Sequence, residues 1–264
     1  VLAAGTRLGS RQLGLAAALG RNRLTVHPTP RVVLVAVGDE LKEPGTTAGP
    51  GDIHEADRYA LEAAVRDAGG APSRAPILRD DRAALREAIE DQLVRADLVV
   101  VTGGLSELAG DTVKDVLAVL GDVRLDQVAM TPGRRQGFGT LGSATGSDRA
   151  VPVFALPGHP VSALISFEVF VRPALRTMAG RSMVFRPSVA AEVGRDWTSP
   201  AGLRQFVPAT VVGDPEVGYE ASVLGDPDSP SLSDVAHADA YVVVSEAERT
   251  VRAGRVLQCM VLEG

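Results

Sequence analysis

The chain has 264 residues, 27 Lys and Arg against 33 Asp and Glu, a formal net charge of −6 and 45% hydrophobic residues. That length suggests about two domains with a substantial core, and the apolar content excludes a disordered chain. The acidic balance leaves no footprint for nucleic acid, and the lone Cys259 excludes an internal disulfide or a multi-cysteine zinc site.

Residues 1–30 carry Leu8, Leu13, Leu15 and Leu19 before Gly20, a short helix. The chain opens at Val1 rather than at a methionine, so this stretch reads as the tail of an N-terminal domain that mostly precedes it. Val32 to Val37, between Pro30 and Gly38, is a strand buried on both faces. Leu61, Ala64, Val65 and Ala68 recur at helical spacing and Gly69-Gly70 stops them. A short Ala75–Leu78 segment follows, then a second helical stripe of Leu85, Ala88, Ile89 and Leu93. Leu98 to Val101 is a strand ending in Thr102-Gly103-Gly104. Val113, Val116, Leu117 and Leu120 form a helix stopped by Gly121, and Val123 to Met130 a further strand. Val151 to Leu156 closes the series, and Pro160 opens a helix with Val161, Leu164, Ile165, Phe167 and Val171. The apolar stretch from Val151 to Phe167 is broken by Pro152, Pro157 and Pro160 and is no membrane span. A soluble cytoplasmic protein is the default.

Strands and helices taking turns over residues 31–181 predict an α/β domain, a parallel sheet with helices on both faces. From 182 to 264 short alternating segments separated by Gly, Pro, Asp and Ser predict a small all-β domain, sandwich or open barrel.

In an open parallel sheet, ligands bind beyond the carboxyl ends of the strands. Those ends deliver Asp39-Glu40, Asp80-Asp81, Thr102-Gly103-Gly104-Leu105-Ser106 with Asp111, Thr131-Pro132-Gly133-Arg134-Arg135, and Leu156-Pro157-Gly158-His159-Pro160-Val161-Ser162. Glycine turns admit an anion to the backbone, and carboxylates beside phosphate call for a hard cation such as Mg²⁺. Arginine adds a fixed fork for an oxyanion. Each signal has a plainer counterpart. Asp111 and Asp81 suit helix N-caps, Asp39-Glu40 and the arginines suit solvent, and His159 suits a loop. Their convergence on one edge favours a site.

At these residues the sequence resembles the molybdopterin molybdenumtransferase family. Val37 to Leu41 with Pro44-Gly45 and Gly51-Asp52-Ile53 is similar to its TGDEL…PG…GQI segment. Thr102 to Ser106 with Asp111, Val113 and Lys114 is similar to TGGVSxGxxDxVK, and Val128 to Arg134 with Phe138-Gly139 to VAMKPGKPxxFG. Leu156 to Ala163 is similar to LPGNPVSA, the most telling of the four. The resemblance runs in order along the whole chain.

It implies a transferase that inserts molybdate into adenylylated molybdopterin, releasing AMP with Mg²⁺ assistance. Glu40, Asp80 and Asp111 would be the acidic residues at the metal and pyrophosphate, with Glu40 and Asp111 as metal ligands. Thr102, Gly103, Gly104 and Ser106 would hold phosphate, and Arg134, beside Pro132 and Gly133, would face the anionic substrate. Pro157, Gly158, His159 and Ser162 would shape the pocket rim. A homodimer, with a molybdopterin adenylyltransferase as a further partner, is also implied. Departures occur at Thr131 and Arg135 in the KPGKP motif, at Ala109, at His159 for Asn and at Asp57 for Asn. Thr131 removes a cation, and Arg135 supplies one beside it. These departures motivate an alternative, a diverged paralogue that binds molybdopterin or a protein partner without turnover. A molybdopterin adenylyltransferase or competence-damage protein is a weaker reading, opposed by the Leu156 to Ala163 motif and the appended β domain.

Overall fold

The computed structural model describes residues 1–105, 112–142 and 149–262. Strands β1 (Arg31–Ala36), β2 (Ala71–Arg74), β3 (Leu98–Thr102), β4 (Gly121–Gln127), β5 (Arg135–Leu141) and β6 (Val151–Leu156) form one six-stranded sheet in the order β2-β1-β3-β6-β5-β4. The first four in that order are parallel. Here the structure corrects the all-parallel expectation: β5 runs antiparallel to both β6 and β4, so the sheet is mixed. A hairpin needs only a short turn between β4 and β5, whereas a parallel neighbour needs a crossover helix. Because β4 is antiparallel to β5, it points the same way as β6, and its carboxyl end stays on the expected edge. The strand expected over Ala75–Leu78 lies instead at Ala71–Arg74, with Leu78 adding one bridge to Val37.

Helices α1 (Ser10–Ala18), α2 (Asp57–Ala68), α3 (Arg82–Leu93), α4 (Thr112–Leu120) and α5 (Pro160–Ser166) follow the expected order. From α5 the chain runs through a π-helical turn, Phe167–Val171, into α6 (Arg172–Met178). Helix α2 ends where Gly69 takes the left-handed conformation, φ +92°, that a C-terminal stop requires. Gly121 acts otherwise. It opens β4 directly, where a Cβ would stand 2.0 Å from the Thr140 carbonyl oxygen.

The continuous apolar runs have a direct cause. Val33, Val35, Val99, Val101 and Val153 face α3 and α4 on one side of the sheet, while Val32, Leu34, Leu98, Val100 and Phe154 face α2 and α6 on the other. Strands sandwiched between helices must be apolar at every position, and each fully buried Val or Leu contributes roughly 1.5–3 kcal/mol.

Beyond Arg181 the chain forms β7 (Ser188–Val193), β8 (Arg204–Asp214), β9 (Gly218–Val223), β10 (Ala240–Val244) and β11 (Val256–Val261), with the short helix α7 (Leu232–His237) before β10. The order β9-β7-β11-β10-β8 closes on itself through the β8–β9 pairing, a closed rather than open barrel. Two residues of the β4–β5 turn, Met130–Thr131, join the barrel alongside Arg204 and Gln205. Glu168 in the π turn reinforces that junction, accepting two hydrogen bonds from Arg186 at 2.8 and 2.9 Å.

Candidate functional site

Backbone hydrogen bonds tie the carboxyl ends of the central strands together. Val37 N–H donates to Thr102 O at 3.0 Å, Gly38 N–H to Leu78 O at 3.0 Å, and Gly103 N–H to Leu156 O at 3.3 Å. Around this seam opens a cleft of about 400 Å³. Of the predicted site residues, Glu40, Asp80, Thr102, Gly103, Gly104, Pro157, Gly158 and His159 line it. Residues remote in sequence thus converge on one edge of the sheet.

The glycines are required where they stand. Gly103 has φ +86°, and a Cβ there would lie 2.2 Å from the Val37 carbonyl oxygen. A Cβ on Gly158 would meet the Gly103 Cα at 2.9 Å, so the two glycine turns pack backbone against backbone. Only glycine permits both the conformation and the approach.

The acids gather beside this turn. The Asp80 N–H donates to Asp39 Oδ1 at 3.4 Å, and Asp80 Oδ1 lies 3.9 Å from where a Gly104 side chain would begin. That same oxygen is buried and has no hydrogen-bond partner. Burial first, then the charges of Asp39 and Glu40, raise the Asp80 carboxyl above the ordinary carboxylate range. A buried carboxylate oxygen without a donor, with two further acids beside it, fits a hard divalent cation as counter-charge. Among the described residues no group of three or more His, Cys, Asp or Glu side chains is arranged to hold a metal. Asp111, the expected third acid, and Ser106 lie outside the described residues, as does Ala109.

Asp81 separates cleanly from its neighbour. It caps α3, its carboxylate accepting from the Ala84 N–H at 2.7 Å, while Asp80 alone faces the cleft. One acid holds the helix and leaves the other for the site.

Two further hollows adjoin. One, about 450 Å³, is lined by Gly133, Arg134, Pro157 and Ser162 among others. Gln136 fixes its turn, donating to the Gly133 carbonyl and to Ser166 Oγ, both at 2.6 Å. Pro132 follows a cis peptide bond within that turn and lines none of these hollows. The other, about 260 Å³, is lined by Gly104, Leu105, Lys114 and Asp126 among others. Arg135 lines all three hollows, and its Nη1 donates to the Leu105 carbonyl at 2.8 Å. It tethers the glycine turn to β5. The sequence placed Arg135 at this edge as a cation beside the one lost at Thr131; its central place among the three hollows follows from the β4–β5 hairpin.

The other residue whose place the sequence did not disclose is Asp57, 5% exposed in the cleft wall. Burial and the neighbouring Glu55 push its carboxyl up to about 7, against a hydrogen bond from Thr102 that lowers it. Its neighbour Arg58, also buried, pairs with Glu55 at 2.9 Å and Glu43 at 2.6 Å. The Arg58 hydrogen bond holds the Glu43 carboxyl below its ordinary range.

A family model described as a probable molybdopterin binding domain matches residues 33–177, and one described as the MoeA C-terminal region (domain IV) matches residues 190–262. Molybdopterin molybdenumtransferase 1 of Mycobacterium tuberculosis strain H37Rv is 40% identical over 258 residues, covering 96% of this chain and 59% of that protein. Molybdopterin molybdenumtransferase 2 of the same strain is 40% identical over 252 residues, covering 93% and 60%. A crystal structure of a molybdopterin biosynthesis MoeA protein from Pyrococcus horikoshii superposes with a TM-score of 0.81 at 28% identity, over 98% of this chain and 61% of that one. The chain therefore spans about three fifths of the length of these relatives.

Proposed function

The chain belongs to the molybdopterin molybdenumtransferase (MoeA) family, and from that premise we propose that the whole protein inserts molybdate into adenylylated molybdopterin and releases AMP. The observation that carries this reading is the convergence of Glu40 and Asp80 with the Gly103-Gly104 turn in one cleft. An anionic nucleotide end lies against the glycine turn, where no side chain intervenes between ligand and backbone. Pro157, Gly158 and His159 close the facing wall. Arg134, Arg135 and Ser162 in the adjoining hollow take an oxyanion or the terminal phosphate of the pterin. Thr102, buried beneath the turn, positions it. The strands under these groups hold the reacting partners in one orientation, and this positioning is the protein's main contribution to rate.

Magnesium would be held by Glu40 and Asp80, with Asp111 as a third acid, and would supply the positive charge that lets phosphate approach carboxylates. The family resemblance also supports a homodimer and an adenylyltransferase as the source of substrate. Among the described residues no helix is long and apolar enough to cross a membrane.

The relatives' transferase names favour turnover over a binding-only paralogue. Full-length protein given Mg²⁺, adenylylated molybdopterin and molybdate is expected to release AMP, measured by chromatography, at a rate that rises with molybdate. Binding of the pterin nucleotide with no molybdate-stimulated AMP would instead establish the binding-only alternative.

A further inference from the structure

The cleft wall contains one titratable side chain that the proposed reaction leaves unused. Asp57 opens α2, lines the cleft and is almost wholly buried. Its Oδ1 has no hydrogen-bond partner. The positive end of a helix ordinarily favours a carboxylate in its first turn. Among the described residues no cation joins it from the elements packed around. On its own helix, Arg58 is committed to Glu55, Glu43 and the Ala75 carbonyl. From β3 comes only the Thr102 hydroxyl, and α5 carries no titratable side chain beyond its preceding His159. The charge that acts on Asp57 is another carboxylate, Glu55. Glu40, Asp80, His54 and Arg135 line the same cleft, and the charges raising Asp80 are Asp39 and Glu40 rather than Asp57.

A carboxyl taken out of water beside a like charge is held toward its neutral form. An anion entering the same cleft adds a further negative charge, which favours the proton again. We propose that Asp57 takes up a proton when an anionic, phosphate-bearing ligand enters the cleft, so that ligand and hydrogen ion bind together. This rests on the cleft being the nucleotide site. With its carboxyl already pushed up to about 7, Asp57 is partly ionised at neutral pH and can gain the proton there. By linkage, affinity for the anion then falls as pH rises through and above that value, by at most about tenfold per pH unit.

The experiment is a calorimetric titration of AMP into the full-length protein with Mg²⁺ at neutral pH, in two buffers of different ionisation heat. Wild type is expected to take up a measurable fraction of a proton on binding. Asp57→Asn, which keeps the side-chain shape, is expected to take up markedly less while binding AMP within about threefold of wild type at mildly acidic pH. Equal proton uptake in the two proteins overturns the proposal and leaves the nucleotide reading intact. No AMP binding by wild type overturns the nucleotide reading, and the proposal with it. Should Asp57→Asn fail to fold, a ¹³C carboxyl titration of wild type decides the matter. The Asp57 transition must move to higher pH when AMP is added, and an unmoved transition refutes proton uptake.

Discussion

The carboxyl edge of the α/β sheet and the C-terminal barrel are built from the same residue types to opposite ends. At the edge, Asp57 and Asp80 each keep a buried oxygen without a partner, and Gly103 and Gly104 both take positive φ. The barrel core is apolar, from Ala191 and Val193 through Val207 and Val242 to Cys259, and among the described residues beyond Arg181 only Ser199 Oγ shares the unpartnered state. Its polar groups close locally. Trp197 donates to Gln205 at 3.1 Å, and Gln205 in turn to the Pro227 carbonyl at 2.8 Å. Leaving a buried carboxylate unpaired costs a few kcal/mol that a purely structural region has no reason to bear. The edge is shaped for something that arrives, and the barrel for holding its neighbour in place through Met130–Thr131 and Glu168.

That contrast is open to breaking by mutation, and the largest effect belongs to the edge. Gly103→Ala pushes a Cβ onto the Val37 carbonyl at a backbone angle alanine resists. It is expected to cost at least about 3 kcal/mol in urea unfolding and to abolish nucleotide binding. Asp57→Asn goes the other way. The folded value of about 7 lies well above the ordinary aspartate range, so the fold favours the neutral form. The stability this confers is complete at low pH and is lost as pH rises through about 7. At alkaline pH, urea unfolding should find Asp57→Asn more stable than wild type by on the order of 2–4 kcal/mol, and near pH 4 the two should match.

The barrel supplies the converse case. Val242→Ala removes two methyl groups from its core and should cost roughly 2 kcal/mol in urea unfolding, yet leave nucleotide affinity unchanged. A comparable loss of affinity would mean that the barrel belongs to the site. The smallest effect separates two adjacent acids. Asp81→Ala should lose about 1 kcal/mol of stability through its helix cap and nothing in binding, whereas Asp80→Asn should weaken Mg²⁺-dependent binding and leave the cap intact.

The sequence disclosed much of this because backbone geometry leaves strong local marks. Doubly buried strands read as unbroken Val and Leu runs in β1 and β3, and the Gly69 and Pro160 boundaries of α2 and α5 fall where steric rules put them. The choice of Asp80 over Asp81 as the residue facing the cleft also follows from proximity to the strand end. What stayed hidden depended on partners. Strand β5, with glycines at 137 and 139, has neither an apolar run nor clean alternation, so the antiparallel hairpin left no pattern. The π turn depends on packing around Phe167, and barrel closure on the pairing of β8 with β9. Asp57 stood out in the sequence only as a replacement for Asn, and the fold places it inside the cleft wall.

The most direct test is a crystal structure of the full-length protein with AMP and Mn²⁺ in place of Mg²⁺, the ion located by its anomalous scattering. The account predicts Mn²⁺ coordinated by Glu40 and Asp80, with the AMP phosphate against the Gly103-Gly104 turn. Nucleotide and ion bound together on another face of the sheet, with this cleft holding only water, would contradict it.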